Sequence, residues 1–159
     1  MAEPKEKDVY GKFGKILPIL VTPGKDLISS IKKACSDNGI RAGTILTAVG
    51  TLQKSTITNP PTDKAETGTV FSLPKVIPGP LQILSLVGVI CEKDSGELHV
   101  HLHGSFVDKY GKLHGGHLEE GESPALIRTE AIIGEIADIR MLESFDDVSG
   151  ETELSIERL

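Results

Sequence analysis

The stretch ELHVHLHGSFV, Glu97 to Val107, alternates so regularly that only one local conformation uses its pattern. With a period of two, Leu98, Val100, Leu102, Gly104 and Phe106 fall on one face and Glu97, His99, His101, His103 and Ser105 on the other. A helix would scatter both sets around its circumference, so the segment is expected to be a strand with one face in a core and a row of imidazoles on the opposite face. The chain has 159 residues and five histidines, and all five lie between His99 and His117.

Other segments place that strand in a sheet. FGKILPILVTPG reads as a strand of branched apolar residues closed by a Pro-Gly turn. AGTILTAVG, LQKSTITN, TGTVFSLP and LQILSLVGVICE follow as further strands separated by turn residues, which indicates a largely antiparallel sheet. One amphipathic helix interrupts them: Leu27, Ile28, Ile31, Ala34 and Cys35 form a single stripe, Asp26 caps the start, and Asn38-Gly39 stops the end. SPALIRTEAIIGEIADI has a helix-type start at Ser123-Pro124 but is rich in isoleucine, so local signals balance between helix and strand. The stretch from Glu135 carries eight acidic residues against two arginines and ends in a strand, ETELSIE, with Leu154 and Ile156 on one face.

Length and an apolar share of 38% are enough for one core. The expected organisation is a short polar segment over residues 1–12 and one domain over 13–159. The net charge is −6, with Lys32 and Lys33 the only adjacent basic pair, which disfavours a DNA partner. Cys35 and Cys91 lack metal-motif spacing and read as small core residues. No apolar run reaches the ~18 residues of a membrane span and MAEPKEKD is charged, so a soluble cytoplasmic protein is expected.

Histidines at i and i+2 on one strand face can direct two ring nitrogens to one ion at ~2.0–2.1 Å. A third ligand is available if the chain turns at DKYG and returns antiparallel, bringing His114 or His117 alongside, and Gly115-Gly116 lets the backbone pass close to the site. Three neutral imidazoles and a water suit Zn²⁺ best, although Ni, Cu and Fe also accept imidazole. The alternative is a solvated histidine face without an ion.

Three stretches together, GPLQILSLVGVI at 79–90, HLHGSFVDKYGKLHGGHL at 101–118 and RTEAIIGEI at 128–136, resemble the prokaryotic relatives of the plant PPC (or PCC) domain, which in plants often accompanies AT-hook motifs. The likeness runs from about Gly14 to Ile156. It implies an α+β fold, a mostly antiparallel curled sheet packed around one main helix, a homotrimer, and an extended conformation for the segment containing TEAII. It also implies that the metal ligands are His101, His103 and His117. His99 and His114 lie outside that motif and are left as hydrogen-bond partners of ligands or as ligands across a subunit contact. Pro80 and Gln82 stand where many relatives carry a basic and an acidic residue, and the chain has no AT-hook sequence.

The expected function is a metal-binding, homotrimeric protein of unassigned activity that binds or processes a small molecule, with zinc as the ion. By analogy with acetolactate decarboxylase, which shares the fold, enzyme activity is open, and Glu97 and Glu130 are the carboxylates to inspect. The alternatives are a DNA-associated or protein-interaction module without catalysis, and an ion with a purely structural role.

Overall fold

A computed structural model describes residues 9–60, 73–146 and 151–159. The elements run β1 (Lys12–Val21), α1 (Leu27–Asp37), β2 (Gly43–Thr58), β3 (Lys75–Lys93), β4 (Leu98–Asp108), β5 (Leu113–Leu118), β6 (Ala125–Ala137), β7 (Ile139–Asp146) and β8 (Glu151–Arg158). The strands form one sheet in the order β1-β6-β2-β5-β4-β3-β7-β8, antiparallel except where β7 meets β3. β2 pairs with β3 along one edge, and with β6 and then β5 along the other. Since β3 pairs with β4 and β4 with β5, strands β2 to β5 close into a ring, which is the curl of the expected α+β fold.

The helix forms where its pattern requires. Asp26 Oδ1 accepts from Ser29 N at 2.8 Å, and the Asn38 amide returns to the carbonyls of Ala34 and Cys35. Gly39 then takes φ 67°, the left-handed conformation that ends a helix at low cost. Leu27, Ile28, Ile31 and Cys35 are buried against Leu52, Ile90, Leu102 and Phe106 of the curled sheet. Asp26 Oδ2 also accepts from Ser123 N at 2.9 Å, tying the helix start to the entrance of β6.

Two sequence expectations change and one open choice closes. AGTILTAVG and LQKSTITN are one strand, β2, because Gly50 is absorbed as an irregularity at φ 146° instead of ending it. The segment that local signals left balanced is strand β6, as the family resemblance implied; pairing with both β1 and β2 outweighs its helix-type start. β7 was not foreseen. It begins after Asp138, whose φ of 61° redirects the chain, and with β8 it buries Ile139 and Met141 against Ala42 and Cys91 in a second, smaller core. Residues 67–72 of TGTVFSLP lie outside the described residues, as do residues 1–8 of the polar start.

Both thiols are free and buried, as their sequence context suggested, and burial pushes each up to about 11. Among the described residues no helix is long and apolar enough to cross a membrane.

Candidate metal centre

β4 is fixed from both sides. Its inward residues Leu98, Val100, Leu102 and Phe106 are buried, and its register with β3 sets His99, His101 and His103 opposite Cys91, Val89 and Val87. The chain then turns at DKYG, where Asp108 Oδ1 accepts from the amides of Tyr110 (2.9 Å) and Lys112 (3.0 Å) and Gly111 takes φ 80°. β5 returns antiparallel with His117 opposite His103 and His114 opposite Phe106. Because cross-strand partners point to the same face, this register chooses between the two histidines: His117 joins the imidazole row and His114 turns to the inner face.

The glycines between them permit close approach. A Cβ at Gly116 would stand 2.6 Å from the Thr58 carbonyl oxygen, and one at Gly115 would stand 2.9 Å from that of Gly104. β5 therefore nests against β2 and β4 at the point where Thr58 pairs with His117 and the ring closes.

His101 Nε2 lies 3.0 Å from His103 Nε2, and one ring nitrogen from each of His101, His103 and His117 falls within 4.8 Å of the others. The ring centroids are 5.0 Å apart for His101 and His103, 4.9 Å for His101 and His117, and 5.4 Å for His103 and His117. A tetrahedral ion with nitrogens at ~2.0–2.1 Å requires nitrogens about 3.3 Å apart, so small ring rotations bring this set into position. The donors fit a borderline divalent ion: three imidazoles, with no thiolate or carboxylate in the cluster. Burial lowers the pKa of His103 and His117, and His101 close by adds to it, so both rings favour the neutral form that offers a lone pair. A recess of about 270 Å³ lined by Ser85, Val87, Gly104, Ser105 and Gly116 opens beside His103.

The remaining candidates sit elsewhere. His99 is 6.4 Å from His101 between ring centroids, and its Nε2 lies 3.3 Å from Glu143 Oε2, a carboxylate contributed by β7. Burial lowers its pKa, with Glu143 opposing. Sequence reasoning missed Glu143, because nothing in its local pattern links it to a strand some forty residues earlier. His114 Nε2 bonds Asp108 Oδ2 at 2.9 Å, away from the imidazole row. Glu97 is not on the histidine face as the alternation suggested. It lies exposed just before β4 and pairs with Lys32 of α1 at 2.9 Å. Glu130 lies on β6, exposed and paired with Arg128 at 2.7 Å, so neither carboxylate belongs to the cluster.

Residues 9–137 match the model of the Plants and Prokaryotes Conserved (PCC) domain. The chain belongs to that family. Solved structures agree. A metal-containing protein from Archaeoglobus fulgidus is 27% identical, with a TM-score of 0.78 over 94% of this chain and 99% of that one. A plant- and prokaryote-conserved (PPC) protein from Pyrococcus horikoshii is 28% identical, with a TM-score of 0.75 over 97% of this chain and 100% of that one. Proteins from Ralstonia eutropha and Bacteroides thetaiotaomicron, named as candidate DNA-binding proteins, are 17% and 18% identical and share the PCC fold. Among curated sequences, the bifunctional protein GlmU of a Synechococcus strain is 29% identical over 147 residues. That match covers 91% of this chain and 21% of the relative, so the PCC-domain chain spans about a fifth of the curated relatives it matches.

Proposed function

We propose that this PCC-domain protein binds one divalent metal ion per chain, zinc by preference, through His101, His103 and His117. The observation that carries the reading is the convergence of three imidazole nitrogens from two register-locked strands. The metal-containing relative from Archaeoglobus fulgidus supports it. With three protein ligands and a recess beside His103, an ion held here would keep a fourth position for a small molecule. When bound, such an ion supplies a Lewis acid and lowers the pKa of a water molecule towards about 7. The role of the chain is to bind a small oxygen or nitrogen ligand there, and turnover is a property to screen once the ion is established.

The working unit is a homotrimer. Support comes from the outer face of the sheet, where exposed Leu20 and Val49 flank Glu130, with which both pair, and exposed Leu84, next to the partner of Gly50, continues the row. Ile16 and Leu46 extend the patch, and Val87 carries it to His103. Apolar surface of this extent favours burial against another protein surface.

Elemental analysis of untagged protein, beside its His101→Ala variant, is the test. The expected result is near one zinc per chain, lost in the variant; metal-free protein after zinc has been supplied would overturn the reading. DNA association is the second reading, motivated by the names of the Ralstonia and Bacteroides proteins. A net charge of −6 opposes it.

A further inference from the structure

One recess sets two arginines and a glutamate around an apolar floor. It has a volume of about 370 Å³ and lies at the junction of β2, β3 and β7, with Ala42, Ile139 and Met141 beneath and Arg41, Glu92 and Arg140 around it. The floor residues are buried parts of the smaller core. Leu159 borders the recess from the end of β8, its amide bonded to the Asp138 carbonyl at 2.9 Å.

The charges around it are unequally satisfied. Glu92 serves two guanidinium groups. Arg41 is tightly held: its Nε donates to Glu92 Oε1 at 2.7 Å, and its Nη2 reaches the same oxygen and the Gly96 carbonyl at 2.8 Å. Arg140 is not. Its Nε stands 3.7 Å from Glu92 Oε2, beyond hydrogen-bond reach, and among the described residues it makes no hydrogen bond. Glu157 on β8 is its register partner, so the two opposite charges lie on the same face. Arg140 thus presents, at the edge of the recess, a planar fork of N–H donors engaged only by a long ion pair.

We propose that this recess is a second ligand site, separate from the histidine centre, for a small amphiphilic carboxylate. Its head group takes the Arg140 fork, and its short apolar chain packs on exposed Leu159 and on the small areas that Ala42, Ile139 and Met141 leave open. Carboxylate geometry matches a guanidinium in two parallel hydrogen bonds, and the volume lies near the lower end for small-molecule sites.

Calorimetric titration with octanoate and with acetate tests the site in the full chain, both as isolated and after removal of metal by a chelator. Octanoate is expected to saturate at one per chain in both preparations, with acetate at least about tenfold weaker because it leaves the apolar floor uncovered. Arg140→Gln, a change at a half-exposed position that leaves Arg41 and Glu92 paired, is expected to weaken octanoate about tenfold. Absence of saturable octanoate binding would overturn the proposal. So would binding that Arg140→Gln leaves unchanged, or binding that disappears with the metal, which would place the carboxylate at the histidines.

Discussion

His103 on β4 and His117 on β5 are direct partners in the antiparallel ladder, and their rings meet edge to face with centroids 5.4 Å apart. The strand that returns after DKYG thereby completes a histidine cluster that β4 only begins. Replacing His103 or His117 with alanine is expected to abolish stoichiometric metal, whereas His114→Ala retains most of it because that ring bonds Asp108 on the inner face. Metal content of the three purified variants checks this, and full metal in His103→Ala would remove the ligand assignment.

Gly116→Ala tests whether the approach of β5 sets the metal geometry. The new Cβ would stand 2.6 Å from the Thr58 carbonyl, so the backbone beside His117 must shift. Zinc affinity, measured by competition with a chromophoric chelator, is expected to fall by at least about tenfold, the scale seen when groups supporting a metal ligand are disturbed. An unchanged affinity would mean that the site tolerates the displacement.

Asp108 makes stability depend on acid. The hydrogen bond from His114 is the main cause holding its carboxyl below the ordinary 3.8, helped by the amides of Lys112 and Tyr110. The group is a depressed carboxylate, so its contribution is fully present above the ordinary value and is lost as pH falls through the folded one. Urea titrations should therefore show wild type more stable than Asp108→Asn at neutral pH, with the gap closing below about pH 4. A gap of constant size down to pH 2 would contradict this origin.

Phe106 is fully buried between the helix and the curled sheet, directly behind the histidine row. Phe106→Ala is expected to cost about 3–5 kcal/mol in chemical denaturation, as truncation of a large core side chain leaves a cavity. A loss under about 1 kcal/mol would indicate that the core collapses around the gap.

The row formed by Leu20 and Val49 is expected to be covered in the assembly. Val49→Lys adds a charge beside Glu130 and should convert the proposed trimer to smaller species in light-scattering measurements, with the circular dichroism spectrum retained. A trimer of unchanged mass would move the subunit contact to another face.

The amino-acid pattern by itself determined the elements whose signals are local. Period two made β4 a strand with its histidines aligned, Asp26 and Asn38-Gly39 bounded the helix, and the family motif singled out His101, His103 and His117, the three that the structure brings together. Tertiary structure decided what depends on partners distant in sequence. The choice between His117 and His114 follows from the register of β5, which a shift of one residue would reverse. The strand conformation of β6 follows from pairing on both sides, and β7, with the Glu143 it brings to His99, follows from a turn at Asp138 and burial against Cys91. Local sequence sets which face a residue takes once its strand exists; only the closed ladder sets which strand lies beside it and which side chains can share an ion.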